Sequence, residues 1–168
     1  MDGPLQKDFY CWNDIHYRDF IIAALAFLEP VYYRSGHKIH NELDEFGEIT
    51  FIHRGDVKVG FKINEMERYA IRYRDKCIIA AFGVTFDNRS QYIYKAVTNC
   101  HGFFIRKENW KKLLREHDTT IIKLLKRAIL VDYLWKFRTK IIVQKKKVLE
   151  HFLKRSDFQN MFLLDNTS

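Results

Sequence analysis

The residues best placed to hold a ligand lie between Ile78 and Thr98. Ile78 to Phe86 is an apolar run containing small residues, Asp87 to Gln91 is polar, and Tyr92 to Thr98 alternates like a strand. A break of that kind between two strands is where a rigid β-scaffold presents a binding loop. Ala80, Ala81 and Gly83, with Phe82 among them, let the backbone come close to a bound group. Arg89, beside Asn88 and Ser90 and followed by Gln91 and Tyr92, brings a cation that can pair with a phosphate; a solvated loop arginine is the competing reading. Other chemistry is poorly provided for. The seven histidines are scattered. His37 and His40 could approach His53 across strands, yet no carboxylate, cysteine or third ligand is placed to finish a metal site. Neither a nucleophile elbow nor a Walker-type loop occurs, so no catalytic residue is named and no enzyme is expected.

A chain of 168 residues that is 47% hydrophobic and 15% aromatic can bury a real core and is expected to form one domain with a helical extension. Its net charge of +8 suits an acidic partner or an ordinary basic surface. Zinc-finger, RRM-like and helix-turn-helix signatures are absent, so nucleic acid is not expected. Cys11, Cys77 and Cys100 have no metal-type spacing, and an odd count does not close a disulfide set, which fits a reducing cytosol. The longest apolar run, Ile21 to Leu28, is too short to span a bilayer, and Met1 to Tyr10 does not read as a secretory leader. The chain as given is expected to be soluble.

The elements that must position the loop follow from periodicity. Asn13 to Leu28 has helical spacing, with Asn13 or Asp14 as cap and Pro30 as stop. The period then changes to two. Short strands are expected at Val31–Tyr33 and Lys38–His40, then at 48–53 and 57–63 as a hairpin about Arg54-Gly55-Asp56. More follow at Arg68–Tyr73, Lys76–Ile79, Tyr92–Thr98 and Cys100–Arg106. Lys107 to Glu116 reads as a short helix, and Asp118 or Thr119 caps a longer one running from Thr120 to about Lys154 without Gly or Pro. The expected divisions are a lead-in at 1–12, a β-roll with flanking helices at 13–117, lid and extension helices at 118–155, and a tail at 156–168. The fold class is α+β.

In that order, Gly36, Ile39, the 48–61 segment with its central Gly55, Ala96 and the run from Cys100 to Trp110 resemble a cyclic-nucleotide-binding domain. More narrowly, 41–46, 59–64, Val84-Thr85-Phe86, 92–95 and 102–107 look like the C-terminal cytoplasmic domain of voltage-gated, cyclic-nucleotide-domain potassium channels of the type expanded in ciliates. The resemblance spans roughly Phe20 to Val148. It implies an eight-stranded β jelly-roll barrel with a helical lid, cytoplasmic, within a parent protein in a membrane.

The resemblance also implies a binding cassette in which a Phe-Gly-Glu acid takes the ribose hydroxyl and the arginine of an Arg-Thr-Ala or Arg-Ser-Ala run pairs with the cyclic phosphate. Counting back from Ala96 without a gap puts Ile79-Ala80-Ala81 at the first motif and Ser90 at the arginine, one place from Arg89. Setting Phe82-Gly83-Val84 there instead also loses the acid. The expectation is therefore no cofactor, with cAMP or cGMP binding weak or lost. The tail residues Phe162, Leu163 and Leu164 could fill the empty pocket or dock elsewhere. The basic amphipathic stretch 136–155 could meet calmodulin or an anionic membrane surface, or pack on its own domain. Parent channel subunits are the other expected partners. Three functions stay open: a regulatory channel module, a sensor with a rebuilt pocket, and a stand-alone scaffold.

Overall fold

The computed structural model describes residues 15–165, with side chains for all of these except 136 and 156–165. The candidate caps Asn13 and Asp14, and Cys11, lie outside the described residues. Helix α1 (Ile15–Leu25) leads into strand β1 (Glu29–Tyr33). It ends earlier than its apolar spacing suggests, because Phe27 and Leu28 donate to Ala24 and Leu25, a tightened last turn. Pro30 therefore lies inside a strand rather than just past a helix. That strand is at a sheet edge, where a missing N–H is tolerated.

Strands β2 (Lys38–His40), β3 (Glu48–Arg54), β4 (Asp56–Ile63), β5 (Met66–Arg74) and β6 (Cys77–Ile79) follow. A short helix α2 (Ala81–Phe86) comes next, then β7 (Ile93–Ala96) and β8 (Cys100–Arg106). The strands pair as nested antiparallel couples: β1 with β8, β2 with β7, β3 with β6, β4 with β5. They form two four-stranded sheets, ordered β1-β8-β3-β6 and β2-β7-β4-β5. No closed barrel forms; the two sheets share no ladder among the described residues.

One expectation from sequence is overturned at Gly55. β3 and β4 are neighbours in sequence but belong to different sheets, so Arg54-Gly55-Asp56 is a crossover and not a hairpin. Gly55 sits at φ +108°, and a Cβ there would lie 2.5 Å from the Asn99 carbonyl oxygen and 2.8 Å from Cys100 Cα. Both the conformation and the space require glycine. Gly55→Ala is expected to cost at least ~2 kcal/mol. Thermal denaturation followed by circular dichroism should then show Tm lowered by roughly 4–8 °C.

Ile52, Val57, Val59, Ala96 and Cys100 are buried in the core. On the other face of the first sheet, Ile49 and Ile105 are covered by Phe20 of α1 and by Trp110 of helix α3 (Lys107–Glu116), whose rings meet edge to face at 6.0 Å. Asp118 then accepts from the backbone N–H groups of Thr120 and Ile121, capping α4 (Thr119–Val131). The long helix expected beyond it is interrupted by a π-helical segment at Asp132–Arg138 before α5 (Thr139–Asp165). At its end both the N–H and the hydroxyl of Thr139 donate to the Leu134 carbonyl five residues back, the wider turn that defines a π-helix. Among the described residues, no helix is long and apolar enough to cross a membrane.

Candidate functional site

The loop expected between β6 and β7 begins as helix α2, too short for periodicity to reveal. Ala80 enters it at φ +68°, a conformation that glycine adopts more easily than alanine. Gly83 in α2 lies against Phe46; a Cβ there would be 2.2 Å from that ring and 2.9 Å from the Asn88 carbonyl oxygen. The far end of α2 is tied to α3. Trp110 Nε1 donates to Thr85 Oγ1 at 3.0 Å, and Lys111 Nζ reaches the Thr85 carbonyl and the Asp87 carboxylate. Hydrogen bonds from Lys111 and Lys107 hold the Asp87 carboxyl below its ordinary range.

Beyond α2 the chain is pinned to the loop before β3. Leu43 N–H donates to the Ser90 carbonyl at 2.7 Å, and Ser90 N–H to the Asp44 carbonyl at 2.9 Å. Ser90 is 1% exposed and its hydroxyl donates to the Tyr92 carbonyl at 2.6 Å. Arg89, one residue earlier, points the other way. Its guanidinium donates to Glu45 Oε1 at 2.7 Å, with the two side chains 65% and 76% exposed. The cation of Arg89 thus lies exposed on Glu45, while the neighbouring Ser90 is buried.

The π-helical segment covers this region. Tyr133 lies flat on Phe82, with ring centroids 3.8 Å apart and planes within 4°, and its hydroxyl donates to Gln91 Oε1 at 3.0 Å. Phe137 packs edge-on to Tyr92 at 5.1 Å and parallel to Tyr94 at 6.0 Å. Tyr133 and Phe137, four residues apart on one helix face, themselves stack at 5.8 Å. A cavity of about 660 Å³ remains; α1, α2, the first sheet, α4 and these two rings line it, with Lys76, Asn88, Arg89, Gln91 and Asp132 as its polar members.

No family model and no curated protein matches the sequence. Solved structures do match. The Thermus thermophilus catabolite activator protein is 14% identical with a TM-score of 0.61, over 83% of this chain and 62% of that one. The C-linker/CNBHD of zELK channels, crystallized in the presence of cAMP, is 17% identical with a TM-score of 0.60, over 77% of this chain and 61% of that one. The cAMP-bound PfPKA-R is 18% identical with a TM-score of 0.51, over 60% of this chain and 35% of that one. The fold is that of a cyclic-nucleotide-binding domain. The chain spans only about a third to under two-thirds of the length of these neighbours.

The segment between β6 and β7 runs from residue 80 to residue 92. Ala80, Ala81, Phe82 and Gly83 form the start of its helix, and Ser90, Gln91 and Tyr92 its return. Phe82, Gln91, Tyr92 and Arg89 all border the cavity, although Arg89 directs its charge to Glu45. Sequence reading passed over Tyr133 and Glu45. The i, i+4 aromatic pair Tyr133/Phe137 was the available signal for the first; nothing local marked the second. Phe162, Leu163 and Leu164 belong to α5 by backbone, but their side chains lie outside the described residues. The histidines are not assembled. His37 stacks on Tyr33, His40 meets Phe46, and His53 in the other sheet meets Phe103. No three-ligand metal group occurs among the described residues.

The enclosure is mainly aromatic, with the charged residues Lys76, Arg89 and Asp132 on its border. Burial pushes the phenols of Tyr92, Tyr94 and Tyr133 above their usual range and that of Tyr73 to about 12. Burial likewise pushes the Cys77 thiol to about 12. Burial also lowers the His40 imidazole, against a smaller opposing pull from Asp44. Its Nε2 is buried without a hydrogen-bond partner. The unfolded chain therefore binds a proton at His40 before the folded one does. Stability should fall as pH drops below about 6.5, with a limiting slope of about 1.4 kcal/mol per pH unit. Urea unfolding at pH 7.5 and 5.5 should show this loss, and His40→Gln should flatten it; an equal loss in both proteins would remove the assignment.

Proposed function

We propose that this chain is a non-catalytic regulatory domain of a cation channel of the potassium type, one whose nucleotide pocket is closed by its own lid. The observation that carries this reading is the packing of Phe137 on Tyr92 and Tyr94 beneath the Tyr133–Phe82 stack. In this reading those rings take up room between the β6–β7 loop and the covering helix that a purine would otherwise use. The sequence supports it: on the gapless count from Ala96, Ala81 and Ser90 fall at the acid and arginine positions, the Phe82-Gly83-Val84 alignment also lacks the acid, and Arg89 is paired with Glu45. Losing two charge-assisted contacts at roughly 1.5–3 kcal/mol each weakens binding about a hundredfold or more. Regulation then works through movement of the π-helical segment, which needs a partner that prefers one of its positions. The parent channel's other subunits, or calmodulin or an anionic membrane surface acting on 136–155, are the partners this reading supplies. The ciliate-type channels are the group whose motifs support it, and the domain would be cytoplasmic.

A second reading, a sensor with a rebuilt pocket, is favoured by the 660 Å³ cavity that persists beside the lid rings. Titration calorimetry with cAMP and cGMP to millimolar concentration separates the two. The closed-pocket reading expects no heat from either nucleotide. Micromolar binding of either would replace it with the sensor. The stand-alone scaffold remains the reading if the chain is found outside any channel.

A further inference from the structure

The second sheet carries a row of cations on the face turned away from the core. In register across its four strands, Lys38 of β2 stands opposite Lys95 of β7, Lys95 opposite Lys58 of β4, and Lys58 opposite Arg72 of β5. Their chain neighbours Val57, Val59 and Ala96 are buried in the core, so alternation puts Lys58 and Lys95 on the other face. At about 5 Å per strand the four positions span roughly 15 Å. Like charges directly opposite one another destabilise a sheet, and here three such pairs follow in succession. Two acids relieve the row, both at its ends. Asp56 accepts from Arg72 at 2.6 Å, while Glu67 pairs with Lys38 and accepts from the Tyr69 hydroxyl at 2.6 Å. Hydrogen bonds from Lys38 and Tyr69 hold the Glu67 carboxyl below its ordinary range, and Lys95 adds a weaker pull. Lys62 and Arg74, opposite Glu67 and Asp56 in register, add further positive charge to the same face. At the centre Lys58, over the Tyr69 ring at 4.0 Å, and Lys95 are half-buried, and neither has a carboxylate of its own among the described residues.

We propose that Lys58 and Lys95 hold one phosphate of a compact, multiply phosphorylated ligand, with Lys38 and Arg72 placed to reach its further phosphates. Charge complementarity calls for an anion, and other features of the face select its kind. A second copy of the chain, at net charge +8, is repelled. A nucleic-acid strand needs free rings on which its bases can stack, but Tyr69 is already engaged by Lys58 and Glu67. An anionic bilayer laid on the face would meet acids at one end of the sheet. There Lys62 N–H donates to Glu42 Oε1 at 3.0 Å, which brings the loop carrying Glu42, Asp44 and Glu45 to the end of β4 beside Glu65. A small soluble polyphosphate avoids that end. Neither Lys58 nor Lys95 borders the large cavity, and this inference does not depend on how the β6–β7 loop treats a cyclic nucleotide.

Titration calorimetry of the full chain with sodium tripolyphosphate tests it, at about 0.1 M salt, where charges more than about 10 Å away are largely screened. The expected result is saturable binding. Lys58→Gln with Lys95→Gln should weaken it at least roughly tenfold, since two charge-assisted contacts are lost. The Tm of that variant should be no lower than the parent's, because two opposed like charges are gone. Lys146→Gln with Lys147→Gln removes the same charge from α5 and should leave the affinity unchanged. Glu67→Gln should tighten binding, since no carboxylate then competes for Lys38. A parent chain that ignores millimolar tripolyphosphate overturns the proposal. So does an equal loss in the two double variants, or a Glu67→Gln chain that binds no more tightly. Binding to phosphatidic acid vesicles without binding to tripolyphosphate would assign the face to lipid and overturn it as well.

Discussion

Phe137→Ala is expected to destabilise the domain by about 3–5 kcal/mol, the range for removing a buried aromatic ring. In a chain of this length that corresponds to a fall in Tm of roughly 6–20 °C. Phe137 is 8% exposed and has ring contacts with Tyr92, Tyr94 and Tyr133, so its loss opens a cavity and removes three aromatic pairs at once. Trp135, two residues earlier and 73% exposed, is the control: Trp135→Ala should move Tm by less than about 2 °C. Differential scanning calorimetry of the two variants decides the matter. Similar shifts would mean that the π-helical segment does not anchor the lid.

The second large effect concerns the cassette. Restoring the acid and the cation with Ala81→Glu and Ser90→Arg, in the Phe137→Ala background, is expected to raise cAMP affinity by about a hundredfold over Phe137→Ala alone. Two charge-assisted contacts would be regained, and even one at the upper end of 1.5–3 kcal/mol suffices for that factor. Ser90 is chosen because its side chain is buried, whereas Arg89 is engaged with Glu45. Glu45→Ala should by contrast leave affinity unchanged, since freeing Arg89 does not turn it inward. Calorimetry of a folded triple variant that still ignores millimolar cAMP would refute the cassette alignment.

What could be read from the sequence was what local chemistry decides. The helix at Lys107–Glu116 and the cap at Asp118 follow from apolar spacing and one side-chain acceptor. The β4–β5 turn follows from Asn64 and Glu65, both at positive φ. What could not be read depended on partners. Alternation makes β3 and β4 look like a hairpin, but it says nothing about which sheet each strand joins. Helix α2 has too few residues to show a period. The π-helical segment shares its composition with ordinary helix, and only the bonds from Thr139 to the Leu134 carbonyl distinguish it. The loop between two strands was legible in the sequence, yet the pairing of Arg89 with Glu45 and the stacking of Tyr133 on Phe82 required coordinates.

The nested pairing of the strands also sets an order of assembly. β4 and β5 are separated only by Asn64 and Glu65, whereas β1 and β8 close a loop from Tyr33 to Cys100. Loop-closure entropy rises with the length enclosed, and early pairs shorten the loops that later pairs must close. The cheapest route zips outward from the Asn64-Glu65 turn and joins the two outermost strands last, a topology associated with slow folding. The Glu29–Arg106 clasp across β1 and β8 would then be absent from the rate-limiting state. It acts as a brake on unraveling and does little to hasten the search.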